Sequence, residues 1–309
     1  MTETDQVKKS ALVNQSEVGW RLDHFLAFKA KTSRSQAKIL IDDGYVELNS
    51  NHTKANKKLR LGDMISWKVP QKEIILNPEK MDIDVLFEDD YFLVINKSAG
   101  IVVHPGAGNF SGTLLNGLIH EYPLLGQVER GGIVHRLDKD TSGVLIIAKD
   151  ESVRKNLQYQ FKERSVKKCY ITLVCGNPDD GLEIENYIGR HPIHRKRQAV
   201  LKEGGRRAIS IIRKKSSYGK AALLEVDIKT GRTHQIRVHL AHLGYPIIGD
   251  QLYGFKKKNF PELMHIERQM LHAESLALIH PVKKQKVVFN APIPDDILSA
   301  INILKGRKK

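Results

Sequence analysis

The spacing of apolar residues changes period along the chain. In WRLDHFLAFKA, Leu22, Phe25, Leu26 and Ala30 fall on one helical face, and TSRSQAKILIDDG starts at a Ser/Thr cap and stops at Gly44. Two short helices in succession are predicted. After Gly44 the pattern shortens: YVELN, LRLGD and the alternating MISWKV predict a small strand pair closing against the helices. This unit is expected to span 18–69. The polar residues 1–17 before it predict a mobile tail, and PQKEIILNPEK, with two prolines and mixed charge, predicts a linker over 70–81.

The remainder, 82–309, reads as a second domain. VLFED and YFLVIN are short strands separated by an Asp pair, and Val153, Leu157 and Phe161 place a helix over 150–163. KCYITLVCG is a strand, as is LLEVDIKT, where Leu224, Val226 and Ile228 alternate with Glu225, Asp227 and Lys229. THQIRVHLAHLG predicts a helix with the stripe Ile236, Leu240 and Leu243, ended by Gly244. The tally predicts an α+β domain with a mixed, largely antiparallel central sheet.

One block breaks this pattern. In GGIVHRLDKDTSGVLIIAKD, IVHRL predicts a strand arriving at the turn DKDTSG, and VLIIAK a strand buried on both faces. A turn aspartate ordinarily caps its own backbone. Here His135, Arg136, Asp138, Lys139 and Asp140 crowd beside aliphatic strands, and such groups are costly unless they pair or work.

Charge narrows the partners. Lys and Arg number 50 against 35 Asp and Glu, a net +15 that favours a polyanion. Arg190, Arg195, Lys196, Arg197, Arg206, Arg207, Arg213 and Lys214 form a run that reads as a basic hairpin able to track phosphates, or else as a solvated charged face. Lys31, Arg34 and Lys38 offer similar contacts in the front unit. The two cysteines, Cys169 and Cys175, would lie about 20 Å apart on one strand, beyond a disulfide, so a reducing cytoplasm is expected. There is no apolar leader and no run near the roughly 18 residues of a membrane span, so neither secretion nor membrane insertion is expected. His234, His239 and His242 are spaced five and three apart, without HExxH or a Cys cluster, so no metal is expected. Arg237 falls in the first turn of its helix, where the macrodipole does not favour a cation, and this predicts a partner carboxylate.

HRLDKDTSG resembles the HRLDxxTSG signature of the RluA-type pseudouridine synthases. VINKSAGIVVHP is similar to that family's Asn-Lys-Pro-Ala-Gly segment, with Ser98 where proline is usual; KKCYITLVCG is similar to its Lys-x-Tyr strand, and TGRTHQIRVHLAHLGYPIIGDQLYG to its third motif. RHPIHRKRQAV, LHAESLALIHP and APIPDD resemble the RluD branch, whose members act on the large ribosomal subunit. These segments cover most of 82–297. RLDHFLA, SRSQAKILIDDG and LRLGD resemble, more loosely, the alpha-L RNA-binding module that precedes several such enzymes.

The resemblance implies a pseudouridine synthase fold and a cofactor-free isomerase that turns uridine into pseudouridine in large-subunit, 23S-type ribosomal RNA, with the RluC-type sites or another structured RNA as the runner-up target. It implies Asp138 as the catalytic carboxylate, Arg237 as its partner, Tyr170 as the base-stacking ring and a candidate for handling the carbon-5 proton, and Ile236 as apolar wall. Arg136 would fill the space of the flipped uridine. Attack on the sugar, attack on the base and removal of a sugar proton all remain open to Asp138. His135 is expected to be structural. The implied partner is ribosomal RNA, with contacts from Arg190, Arg195, Arg197, Arg206, Arg34 and Lys38, and the protein is expected to be a cytoplasmic monomer without membrane or metal. Two rival classes are a non-catalytic RNA-binding protein and a glycosidic hydrolase using Asp138 with Asp140.

Overall fold

The computed structural model describes residues 8–68, 77–106 and 109–306. The chain divides into two compact units, Met1–Ile75 and Leu76–Lys309. The first runs β1 (Lys9–Leu12), α1 (Leu22–Lys29), α2 (Arg34–Asp42), β2 (Val46–Leu48) and β3 (Met64–Trp67). The Ser33 hydroxyl caps α2 by accepting from the Gln36 amide at 3.1 Å. Leu22, Phe25 and Leu26 of α1 meet Leu40 and Ile41 of α2 and Ile65 of β3 in a small core.

The expected strand pair is a three-stranded antiparallel sheet, ordered β1-β3-β2. The expected tail is corrected accordingly. Residues 1–7 lie outside the described residues, but Lys9–Leu12 pairs with Met64–Trp67, and Gln15–Glu17 form a helical turn capped by Asn14. Lys9 and Ser10 are exposed, so the pairing is made by main chain and no apolar alternation announces it.

The expected linker is shortened in the same way. Residues 69–76 lie outside the described residues, whereas 77–81 pack on the second unit: Asn116 donates to the Asn77 carbonyl at 2.8 Å, and the Gly112 amide to Glu79 at 2.8 Å. Their polar composition resembles a linker because hydrogen bonds supply most of the anchoring and only Met81 packs an apolar side chain against the core.

The second unit contains β4 (Val85–Glu88), β5 (Phe92–Lys97), α3 (Leu114–Glu121), β6 (Ser142–Ala148), α4 (Glu151–Lys162), β7 (Lys167–Cys175), β8 (Leu182–Arg190) and β9 (Gln198–Leu201). There follow β10 (Arg206–Ser217), β11 (Ala221–Ile228), α5 (Gln235–His242), β12 (Leu271–Ile279), β13 (Lys286–Asn290) and α6 (Asp295–Lys305). Among the described residues the strands form one ten-stranded sheet, ordered β4-β5-β6-β12-β7-β11-β10-β8-β9, with β13 added to β12. Every pairing is antiparallel except that of β6 with β12. The fold is the expected α+β class with a mixed, largely antiparallel sheet.

Strand β6 is buried along its whole length, as its unbroken aliphatic run predicts. Leu145 and Ile147 face a core shared with α3, α5 and α6; Val144 and Ile146 face the core under α4, with Val153 and Leu157. IVHRL before it, however, is not a strand. Only Ile133 bridges to β6, opposite Ile147, and the chain then runs as a loop through Asp140. Arg130, Gly131 and Gly132 all have left-handed backbone, and a Cβ on Gly132 would sit 1.9 Å from the Ala148 carbonyl oxygen. His135 replaces the missing strand pairing with a side chain: its Nε2 accepts from the Ile146 amide at 3.1 Å while its ring stacks on Phe161 at 4.7 Å.

Gly143 marks the parallel junction of β6 and β12. Its φ is +117°, and a Cβ there would come within 2.2 Å of the Ala273 carbonyl oxygen. Gly143→Ala should therefore lower stability by more than about 2 kcal/mol. Urea denaturation should show a reduced midpoint with an unchanged slope; an unchanged midpoint would mean that the junction can open freely.

Candidate active site

The loop between Ile133 and β6 is fixed from below before it presents anything to solvent. Lys97, at the end of β5, is fully buried, and its ammonium donates to the carbonyls of Ser98 at 2.6 Å, Ile101 at 3.0 Å and Lys139 at 3.0 Å. The Gly100 amide adds a second bond to the Lys139 carbonyl. Burial lowers the Lys97 pKa to about 8, so the ammonium remains charged at neutral pH. Arg268, paired with Asp296 at 2.6 Å, donates to the next carbonyl, Asp140, at 3.1 Å. Two cations thus hold the main chain on the C-terminal side of Asp138. Ser98 contributes a carbonyl, so serine in place of proline leaves this contact intact.

Asp138 lines a pocket of about 110 Å³ whose walls include Tyr170, Ile228, Ile236, Arg237 and Leu271. Asp140 is absent from the lining. Arg237 is nearly fully buried on α5, and its NH1 donates to Asp138 Oδ2 at 3.2 Å. The partner carboxylate expected for Arg237 is therefore present, and a second one holds it more tightly. Asp250 accepts from Arg237 Nε at 2.7 Å and NH2 at 3.0 Å, a two-pronged contact, and the guanidinium carbon lies 5.0 Å from the Tyr253 ring centroid. Burial alone would lower the Arg237 pKa; its contacts with Asp250 and Asp138 outweigh that and raise it.

Tyr170 projects from β7, buried against the same core as Ile236. Burial, and then the nearby Asp138 charge, raise its pKa above the ordinary phenol value, so the hydroxyl stays protonated at neutral pH. Arg136 is exposed at the pocket mouth.

The three histidines diverge. His234 caps α5 in a left-handed conformation; its Nε2 is 3.8 Å from Asp138 and its Nδ1 2.8 Å from the Tyr253 hydroxyl. Burial lowers its pKa. His239 points to the sheet, bonded to Ser210 and Asn186, and burial lowers its pKa to about 4; His242 is exposed. A separate group, Cys169, Glu225 and Glu274, brings its ligand atoms within 4.8 Å of one another. It lies on the other face of β7 from Tyr170, and Arg213 already pairs with Glu225 at 2.6 Å.

The basic run divides by partner. Arg207 pairs with Glu185 and Arg213 with Glu225 and Asp227, whereas Arg190, Arg195, Arg197 and Arg206 form no ion pair among the described residues. Arg190, Arg195 and Arg197 sit on the β8–β9 hairpin, and Arg206 opens β10 opposite Ile188. The Gln198 amide of this hairpin donates to the Tyr253 hydroxyl at 2.8 Å. In the front unit, Arg34 pairs with Asp23 at 3.2 Å and Lys38 is exposed.

Asp250, Tyr253, Lys97 and Gln235 lie in or around the pocket without being singled out by the residue patterns, and His234 is singled out there only as a metal-ligand candidate. Gln235 pins the loop before α5, accepting from Thr230 and from the Arg232 amide and donating to the Ile209 carbonyl. Asp250 and Tyr253 fall inside the third-motif segment, and the misplaced charge of Arg237 implies a carboxylate without saying which one it is.

Residues 91–242 match the family model described as RNA pseudouridylate synthase. Over 297 residues the chain is 41% identical to ribosomal large subunit pseudouridine synthase D of Neisseria meningitidis serogroup A, covering 93% of this chain and 79% of that one. The chain belongs to the RNA pseudouridine synthase family. It is also 37% identical over 312 residues to the synthase D of Pasteurella multocida, covering 97% and 96%, and 42% identical over 299 residues to an uncharacterized RNA pseudouridine synthase of Aquifex aeolicus, covering 92% and 94%. The solved human RNA pseudouridylate synthase domain containing 4 shares the fold, with a TM-score of 0.57 and 23% identity over 72% of this chain and 93% of that one. This pseudouridine synthase carries Asp138, Tyr170 and Arg237 inside the matched residues, while Asp250 and Tyr253 lie beyond them.

Removing Asp250 would leave the Arg237 charge buried with one weaker partner. Asp250→Ala should cost about 3 kcal/mol of stability in chemical denaturation. A loss below about 1 kcal/mol would show that Asp138 alone suffices to hold the guanidinium.

Proposed function

We propose that this enzyme converts uridines of large-subunit ribosomal RNA into pseudouridine, with Asp138 as the reacting carboxylate and Arg237 as the cation that pairs with it. The observation that carries this reading is the Asp138–Arg237–Asp250 arrangement opening on a small pocket faced by Tyr170. At about 110 Å³ the pocket is well below the roughly 300–1,000 Å³ of ordinary ligand sites, and it suits one planar base better than a run of sugars. The ribosomal target rests on the names of the relatives above and on the free basic side chains of the β8–β9 hairpin.

Isomerisation breaks the bond from the sugar to base nitrogen 1, turns the uracil and rejoins it through carbon 5, whose proton is lost. Ile228, Ile236 and Leu271 provide apolar wall that keeps the freed base from water, and the Tyr170 ring is its platform. The Tyr170 hydroxyl enters protonated, so it can take up the carbon-5 proton only by passing its own to a neighbour, and Asp138 is the anion at hand. Arg136 fills the stack vacated by the flipped nucleotide. Arg190, Arg195, Arg197 and Arg206 track phosphates, and the front unit, as an alpha-L-type module, adds contacts from Arg34 and Lys38. The free thiols of Cys169 and Cys175 suit a cytoplasmic enzyme.

The test is incubation with unmodified large-subunit ribosomal RNA carrying tritium at carbon 5 of uridine. Tritium release without free uracil supports the isomerase; free uracil would make the protein a hydrolase, and neither would make it a binder. Asp138→Asn should abolish release while RNA affinity stays within a few-fold, since shape is kept and charge is lost. Product above a trace would remove Asp138 from this role. In Tyr170→Phe, stacking survives and proton passage does not, so finished pseudouridine should fall at least about tenfold; normal turnover would reduce Tyr170 to a platform.

A further inference from the structure

Beside the Tyr170 end of the pocket the chain gathers positive charge that no ion pair among the described residues neutralises. Lys168 lies two residues before Tyr170 on β7, and therefore on the same face and about 7 Å along the strand. Its ammonium sits 5.8 Å from the Phe161 ring centroid of α4. Arg164 leaves that helix in a left-handed conformation, exposed. From the other side Arg232, itself part of the pocket lining, donates through Nε to the Arg207 carbonyl at 3.0 Å, next to Arg206. Along β10, Arg206 alternates with Arg207: Arg207 faces Glu185, and Arg206 takes the same face as buried Ala208 and α5. None of Arg164, Lys168, Arg206 or Arg232 forms an ion pair among the described residues.

The four cations also act on one another. Burial, and then Arg232 and Arg164, lower the Lys168 pKa to about 8; burial, and then Arg206 and Arg164, lower that of Arg232. Uncompensated like charges beside a working pocket weaken the fold, and an arriving anion relieves them.

We propose that Arg164, Lys168, Arg206 and Arg232 form a phosphodiester-binding site that grips the RNA backbone beside the nucleotide held in the pocket. This rests on the reading of the pocket as a uridine site. The two-residue step from Tyr170 to Lys168 matches the reach of a nucleotide from its base to its phosphate. A stacked base and its phosphate would then be read by one strand. Arg206, one of the four unpaired arginines of the basic run, thereby joins the pocket and not only the outer hairpin.

The test uses the full chain and unmodified large-subunit ribosomal RNA, with affinity measured across a potassium chloride series. Arg164→Gln and Lys168→Gln should each make the log-log salt slope shallower by roughly 0.7 to 0.9, and Arg164→Lys and Lys168→Arg should restore it. Melting temperatures check folding, and exposed Arg164 carries the test alone if Lys168→Gln is unstable. Wild-type slopes in folded glutamine variants overturn the site. Inorganic phosphate, titrated at constant ionic strength, separates the sources. If it raises the melting temperature of the wild type but not of Arg164→Gln, while RNA slopes stay equal, the cluster holds a free anion and the backbone assignment fails. Shallower slopes in a protein that releases no tritium would support the backbone site and defeat the proposed activity; normal release with unchanged slopes would do the reverse.

Discussion

The buried guanidinium of Arg237 is the contact on which the site depends. It donates to Asp138 at the edge of the pocket, but a guanidinium on a helix could equally swing away. Asp250 occupies two of its nitrogens, Tyr253 lies against its plane, and the remaining nitrogen is left aimed at Asp138. The geometry divides one cation between a tight buried partner and a looser one that lines the pocket, 2.7 Å against 3.2 Å.

That arrangement depends in turn on three pieces of chain meeting at fixed offsets. Asp138 arrives on a loop whose following carbonyls are held by Lys97 and Arg268; Arg237 on a helix whose approach is pinned by Gln235; Tyr170 on a central strand between β11 and β12. Each support is a hydrogen bond from a charged or amide side chain to main chain. These supports constrain position without filling the pocket.

Much of this was legible in the residues and some was not, for identifiable reasons. The buried run of β6, the capped helix α2 and the alternating β11 follow from periodicity, because side-chain burial is what periodicity records. Lys9–Leu12 and 77–81 resemble tail and linker because main-chain pairing holds the first, and single hydrogen bonds with one apolar contact, Met81, hold the second. IVHRL resembled a strand because Ile133, Val134 and Leu137 are apolar; the left-handed run at Arg130, Gly131 and Gly132 diverts it. Asp138 and Arg237 stand 99 residues apart, and no local pattern joins them; the family resemblance supplied the pair. Asp250 lies only 13 residues from Arg237 and inside the third-motif segment, but nothing in the local pattern assigns it a role, and only the misplaced charge of Arg237 pointed to a carboxylate.

His135 gives the signature loop an acid dependence unlike that of an ordinary histidine. It serves as an acceptor for the Ile146 amide, a job only the neutral ring can do, and burial lowers its pKa from 6.5 to about 3. In the folded protein the peg therefore does not titrate across the physiological range. In the unfolded chain the same ring protonates below about 6.5. Stability contributed at this position is present above that pH and drains away as the pH falls toward 3, at about 1.4 kcal/mol per unit. Mild acid thus leaves this acceptor bond intact in the folded chain, and its effect enters through the unfolded one.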